Sequence, residues 1–155
     1  MIHVALSLAI GFVSGLRTFT GPAVVSWFAC HGRLNLQDTP LQFMSSRAAV
    51  GIFSLLALVE YVGDKLPRTP NRTNPGPLVG RILFGGLSGA ALAVSGAQSL
   101  AAGAVLGGIG AVIGAHTGYQ VRKRLVARLG VKDFYVALPE DLVAIGLACL
   151  IVASL

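Results

Sequence analysis

Six charged or titratable side chains lie in or at the ends of strongly apolar segments, where they could do chemistry. They are Arg17, Glu60, Asp64, His116, Glu140 and Asp141. Charged groups are costly inside a bilayer, so they usually face the interior of a helical bundle and often mark an ion pathway or a binding site. We therefore interpret these six residues, together with Thr18, as the polar lining of one binding site.

The four carboxylates fall into two pairs. Glu60 and Asp64 are four residues apart, so they share one face of a helix. Glu140 and Asp141 open the last predicted helix, where carboxylates also stabilise a helix N-terminus. The expected topology brings both pairs to the same side of the membrane. There they could ligate a divalent cation, relay protons, or hold nearby arginines in place, and the sequence leaves the three interpretations and any metal site open.

Two basic residues follow apolar, glycine-containing helix patterns. Arg17, with Thr18 and Thr20, could bind an anion or pair with a carboxylate, or it could extend to the membrane interface. His116 could titrate near neutral pH if Glu60 is close, or it could be a structural hydrogen-bonding residue. No metalloprotease motif, phosphate-binding loop or Ser/His/Asp arrangement accompanies them. We therefore predict no catalytic residue and no cofactor, and an enzyme is the less expected class.

The composition requires a membrane environment. Of the 155 residues, 54% are hydrophobic and 12% are charged, whereas soluble domains carry about 25% charged residues. We predict one integral, multi-pass membrane domain over residues 1–155. The formal net charge of +6 is interpreted as the lysine and arginine excess of cytoplasmic loops, not as a nucleic-acid-binding surface.

The apolar segments predict an all-α transmembrane bundle of four to five spans, with five favoured. The predicted helices cover about residues 2–30, 47–62, 78–94, 99–128 and 139–155. Residues 65–77 contain four prolines, which predicts a stiff basic loop. Residues 34–46 mix apolar and polar side chains and predict an interfacial segment.

The first and fourth predicted helices share a short sequence echo and a polar interruption. Residues 10–18 read IGFVSGLRT and residues 109–117 read IGAVIGAHT. The apolar pattern turns polar at Arg17-Thr18 in one and at His116-Thr117 in the other, which predicts a broken helix in each. With five spans these helices run antiparallel, so the echo predicts an inverted repeat of the kind found in many transporters.

The basic residues are distributed unequally over the two predicted membrane faces. One face carries Lys65, Arg68, Arg72, Arg81, Arg122, Lys123, Arg124, Arg128 and Lys132, and the other carries Arg33 and Arg47. Cytoplasmic loops carry the excess of lysine and arginine. Five spans then place the N-terminus in the cytoplasm and the C-terminus outside.

Glycines recur every four residues in the third and fourth predicted helices. The positions are Gly85 and Gly89, then Gly103 and Gly107, then Gly110, Gly114 and Gly118. Small residues at this spacing allow helices to approach closely in lipid. They predict a tight helix hairpin or a contact between copies of the chain. The partners expected for the whole chain are membrane lipids, a second copy, and an ion or small anion.

Several of these residues together resemble a known family. Gly15-x-Arg17-Thr18-Phe19, Glu60-x-x-x-Asp64-Lys65-x-Pro67, His116 and the Glu140-Asp141 pair resemble a family of small bacterial integral membrane proteins catalogued only as a domain of unknown function. The resemblance covers nearly the whole chain. It implies a multi-span inner-membrane protein and brings no established activity with it.

Three functions follow as hypotheses. The leading one is a transporter or channel-like protein for an ion or small anionic solute. The second is a membrane enzyme or a binder of phosphorylated lipid, based on Arg17 with Thr18 and on Arg68, Arg72 and Arg81. The third is a structural or assembly subunit of a membrane complex. Pairing of Glu60 and Glu140 with arginines would favour a structural role for the cluster, and close unpaired carboxylates would favour a cation or proton site.

Overall fold

The computed structural model describes residues 2–64, 73–130 and 133–155, and these residues form a bundle of six α-helices without a β-strand. The helices are α1 Ile2–Leu16, α2 Thr20–Cys30, α3 Arg47–Gly63, α4 Pro75–Ser95, α5 Leu100–Leu129 and α6 Asp133–Ala153. Most of α6, like α4 and α5, is long and apolar enough to cross a membrane, and α1 is a shorter apolar helix. The predicted all-α bundle is confirmed, and its apolar helices indicate a membrane protein.

A sharp turn at residues 17–19 separates α1 from α2. Pro22, the third residue of α2, has no N–H to donate to the carbonyl of Thr18, so one continuous helix cannot pass this point with all its hydrogen bonds intact. Gly21 lets the two helices lie close together, because a side chain there would overlap Ser14 Oγ. The predicted interruption of the first helix is confirmed.

The turn reverses the direction of the chain. Thr20 contacts Tyr61 and Trp27 contacts Ser54, so α2 runs antiparallel to α3. Because Arg17 pairs with Asp64 just after α3, α1 and α3 end at the same end of the bundle. The segment 2–30 is therefore not one span but two helices of opposite direction.

The other helices continue this alternation. We call the end of the bundle that holds residues 17–19 the turn end. α4 begins there, since Arg81 contacts Gly15. α5 ends there and α6 begins there, since Arg122 pairs with Glu140. The start of α1 and the end of α6 therefore lie together at the opposite end, in contrast to the expectation of termini on opposite sides.

Glycines set the distance between α1, α4 and α5. A Cβ at Gly107 would overlap the carbonyl oxygen of Gly85, and a Cβ at Gly89 would lie 2.5 Å from the carbonyl oxygen of Gly103. A Cβ at Gly11 would in turn overlap the backbone of Gly107. These glycine faces are therefore used within one chain as a tight helix packing.

The same glycine contacts determine the relative direction of the two echo segments, residues 10–18 and 109–117. Gly11 packs on Gly107 and Gly15 packs on Ala111 and Gly114. The residue numbers rise together, so α1 and α5 run parallel. The echo segments are neighbours in the core, but they are not an inverted repeat, because the turn at residues 17–19 adds a change of direction before α5.

Three helices and one connecting segment differ from the predictions. α5 runs unbroken through His116, because no proline or unsatisfied main-chain group interrupts it there. α4 begins at Pro75, since proline is tolerated in the first turn of a helix. α6 begins at Asp133 and contains Pro139 in its interior. In the predicted interfacial segment, Leu34, Leu36 and Leu41 are buried in the core, as is Met44, which belongs to a short 3₁₀-helix, Gln42–Ser45.

Adjacent glycines on α5 provide a matched test of this packing. We expect Gly107→Ala to prevent folding or to lower the melting temperature by at least about 5 °C, because the new methyl group overlaps main-chain atoms of α4 that cannot move aside. We expect Gly108→Ala to be neutral or slightly stabilising, because its methyl group would meet Ile82 Cγ2 at 3.4 Å, an ordinary contact, and alanine is the better helix former. Thermal unfolding of both variants in detergent checks this. Equal melting temperatures would contradict the packing.

Candidate functional site

The turn between α1 and α2 exposes main-chain groups that side chains of two other helices bind. Glu60 of α3 accepts hydrogen bonds from the N–H of Thr18, 2.7 Å from Oε1, and from the N–H of Phe19, 3.0 Å from Oε2. Arg81 Nη1 of α4 donates to the carbonyl oxygen of Gly15 at 2.8 Å. Arg81 Nη2 also lies 3.4 Å from Glu60 Oε1. The two side chains that satisfy the turn therefore also pair with each other.

These contacts are almost fully shielded from solvent. Arg81 is 3% exposed and the side chain of Glu60 is 8% exposed. A buried main-chain group left without a partner costs about 1–3 kcal/mol, and the positive end of the α2 dipole favours a carboxylate at this position. The turn and the Glu60 carboxylate therefore stabilise each other.

Arg17 lies among the other three carboxylates. Its Nη1 donates to Asp64 Oδ2. Its Nη2 lies 2.5 Å from Asp141 Oδ1, at an angle that makes the contact an ion pair and not a directed hydrogen bond, and 3.8 Å from Glu140 Oε2. Arg17 is 0% exposed. A guanidinium buried to this degree needs such partners, so Arg17 connects the end of α1 to the end of α3 and to the first half of α6.

Two further side chains complete the arrangement. Arg122 Nη1 lies 3.5 Å from Glu140 Oε2. The Tyr61 and Thr20 hydroxyls are 2.7 Å apart, and the Tyr61 ring centroid is 6.0 Å from the guanidinium carbon of Arg17, within reach of a cation–π contact. We call this set the turn cluster: Arg17, Glu60, Tyr61, Asp64, Arg81, Arg122, Glu140 and Asp141, with the main chain of Thr18 and Phe19.

The structure brings six of the seven predicted site residues together, and one stays apart. Arg17, Glu60, Asp64, Glu140 and Asp141 contribute side chains, and Thr18 contributes its main-chain N–H. His116 is exposed on the outer face of α5, with Nδ1 2.9 Å from the carbonyl oxygen of Val112. This exposed position on the continuous helix α5 lies away from the cluster, so it gives no support to a role of His116 in lining the site.

Sequence reasoning missed three members of the cluster. Arg81 and Arg122 were assigned to the basic membrane face, and Tyr61 was not among the candidate site residues. Arg81 carried a detectable signal, since it is the one charged residue of the apolar helix α4 and lone charges in apolar helices usually face the protein interior. No sequence signal pointed to Tyr61, because its partner Thr20 is 41 residues away in the sequence.

Every carboxylate of the cluster lies against an arginine. Glu60 pairs with Arg81, and Asp64, Glu140 and Asp141 surround Arg17. In the described part of the chain, no group of three or more histidine, cysteine or acidic side chains is placed to hold a metal ion. Among the interpretations left open by the sequence, arginine pairing is the one that this geometry supports. Lys65, Arg68, Arg72 and Lys132 lie outside the described residues.

Glu60 provides a direct test of the closed turn. In Glu60→Gln the side chain keeps its shape, but one acceptor oxygen becomes an NH₂ group that faces a main-chain N–H, and the ion pair with Arg81 is lost. We expect the melting temperature to fall by roughly 5–10 °C, from a loss of about 2–3 kcal/mol. Asp38→Asn is the control, because Asp38 is exposed and its φ of 58° suits asparagine. If both variants melt like the wild type, Glu60 does not hold the turn.

Comparison with known proteins identifies the chain at the level of its family. No curated protein and no solved structure matches it. A family model described as a domain of unknown function, DUF4126, matches residues 4–154. The chain therefore belongs to the DUF4126 family of domains of unknown function.

Proposed function

We propose that this membrane protein is a small transporter or channel-like protein for a small anionic solute, which binds at the hairpin turn. The observation that carries the proposal is the binding of a carboxylate there. Two main-chain N–H groups at the start of α2 and the guanidinium of Arg81 converge on Glu60. Amides at a helix N-terminus together with an arginine are the donor set that proteins use for carboxylates and other oxyanions.

The position of two charged side chains of the turn cluster along their helices supports the proposal. Arg81 lies six residues inside α4, about 9 Å along the helix axis. Glu140 lies seven residues inside α6, about 10 Å along its axis. Charged side chains inside membrane-length helices are costly and commonly line pathways for ions or solutes. By analogy, many transporters build their sites from interrupted helices.

Glu60 has a defined role in this proposal. A solute carboxylate or similar oxyanion takes its place on the amides of Thr18 and Phe19, and Glu60 returns when the solute leaves. The turn then never exposes unsatisfied main-chain groups to an apolar surrounding, where each would cost several kcal/mol. Glu60 therefore acts as an internal competitor of the solute.

A structural or assembly subunit is the second candidate, and the complete pairing of carboxylates with arginines favours it. Buried ion pairs of this kind can hold helices in register without binding any ligand. A binder or hydrolase of phosphorylated lipid has less support at this site, because Arg17 and Arg81 are directed inward to carboxylates and the Gly15 carbonyl. Contacts between copies of the chain stay a prediction.

Anion flux into liposomes tests the two candidates. With purified protein in sealed vesicles, we expect nitrate, malonate or inorganic phosphate to enter at least about tenfold faster than into protein-free vesicles. Arg81→Lys should reduce that flux about tenfold, since lysine lacks the planar fork that reaches both the Gly15 carbonyl and the bound anion. Arg47→Lys, at an exposed position, is the control.

The outcomes separate the candidates. Absence of flux for all three anions, in protein whose Glu60→Gln variant is still destabilised, would remove the transport proposal and leave the structural one. Flux that is insensitive to Arg81→Lys would remove the turn as the site of transport.

We also propose that the turn end faces the cytoplasm of an inner membrane. The described basic residues outside the turn cluster are concentrated at this end, on the last turns of α5, whereas the opposite end carries Arg33 and Arg47. The positive-inside rule then places the start of α1 and the end of α6 on the external side.

Cysteine labelling in intact cells tests this orientation. In a Cys30→Ser, Cys149→Ser background, we expect Ser154→Cys and Arg33→Cys to react with a membrane-impermeant maleimide that is added from outside. Arg128→Cys should react only after the cells are permeabilised. All three positions are exposed, so burial does not limit the reaction. Labelling of Arg128→Cys alone in intact cells would reverse the orientation.

A further inference from the structure

The last turns of α5 extend beyond the start of α4. α4 and α5 are antiparallel, with Gly89 against Gly103 and Gly85 against Gly107. Continuation of this register brings Pro75, the first residue of α4, level with Thr117. Residues 118–129, which we call the α5 extension, therefore project about 18 Å past the start of α4.

The outer face of α5 changes character along its length. Val105, Ile109 and Ile113 recur at four-residue intervals and are 47–61% exposed, which makes them a lipid-facing stripe. On the same side of the helix follow exposed His116 and Gln120, and then the exposed cations Lys123 and Arg124. This order on one helix face, apolar then polar then basic, is that of a helix that leaves the hydrocarbon and enters the headgroup layer.

Lys123 and Arg124 are available to a ligand, unlike the arginines of the turn cluster. Within the described part of the chain, Arg17, Arg81 and Arg122 pair with carboxylates, whereas Lys123, Arg124 and Arg128 form no ion pair. Lys123 lies seven residues after His116, about 10 Å along the axis. Helix side chains point toward the helix N-terminus, which for the α5 extension is toward the membrane. Both side chains can therefore reach back to the phosphate layer.

From these observations we infer that the α5 extension is a binding site for anionic phospholipid. Lys123 and Arg124 bind the phosphate of the headgroup, Arg128 adds positive charge one turn further, and Ile109 and Ile113 contact the acyl chain. The occupant is a lipid and not a free phosphate, because the apolar stripe and the basic residues follow each other on one helix face and only a lipid matches both. This site is independent of the turn cluster and of the proposed transport.

Lipid titration of the purified protein in detergent tests the inference. Native mass spectrometry counts bound phosphatidylglycerol and phosphatidylcholine of the same chain length. We expect phosphatidylglycerol to bind more tightly, and the double variant Lys123→Gln, Arg124→Gln to weaken its binding roughly 30-fold, at about 1 kcal/mol for each cation near an anionic headgroup. The double variant Arg33→Gln, Arg47→Gln is the matched control, with two exposed arginines removed at the other end of the bundle.

Each outcome decides for or against the site. The expected result is loss of phosphatidylglycerol binding in the first double variant alone, with the melting temperature of lipid-free protein unchanged. Equal binding of the two lipids, or equal loss in both double variants, would overturn the inference. Glycerol 1-phosphate is the soluble headgroup, and we expect no binding at millimolar concentration. Binding of this compound as tight as that of the lipid would show a phosphate site in place of a lipid site.

Discussion

The fold depends on one constraint, which is that no main-chain polar group can stay unsatisfied inside an apolar bundle. Each unmet N–H or C=O in such a setting costs several kcal/mol. The turn at residues 17–19 creates both kinds of group, and Glu60 and Arg81 bind the two kinds separately while they pair with each other. A single contact set thus fixes the end of α1, the start of α2 and the positions of α3 and α4.

The consequences of this turn reach the whole bundle. Because α2 returns alongside α3, α1 can pack parallel to α5 and antiparallel to α4, and the glycines of all three helices meet. α3 has a largely apolar exposed surface, and it contacts the other helices of the bundle chiefly through α2 and the turn cluster. In lipid, where hydrophobicity supplies no drive between helices, close glycine packing and the buried ion pairs are the two features that bring these elements together.

The sequence predicted the class of fold and most of the cluster, but not the path of the chain. Apolar segments and costly buried charges identify helices and site residues locally, so Arg17, Glu60, Asp64, Glu140 and Asp141 were predictable. The sequence did not predict whether the first helix is kinked or the chain reverses there, because Gly21-Pro22 is compatible with both. That one choice decides whether the sequence echo is parallel or inverted. It also decides on which side the termini lie, and no local pattern contains this information.

The turn cluster links stability to any binding at the turn. The donors that would hold an anion are the same donors that Glu60 keeps occupied, so a ligand can enter only by replacing a contact on which the fold depends. Such exchange keeps the N–H groups of Thr18 and Phe19 bonded if the ligand is itself an oxyanion, whereas a cationic ligand would leave them without acceptors. In the proposed binding mode, the cost of displacing Glu60 would therefore favour anions over other ligands. The ion pairs of Arg17 are not tied to the turn's main chain in this way, since they join Arg17 to the side chains of Asp64, Glu140 and Asp141.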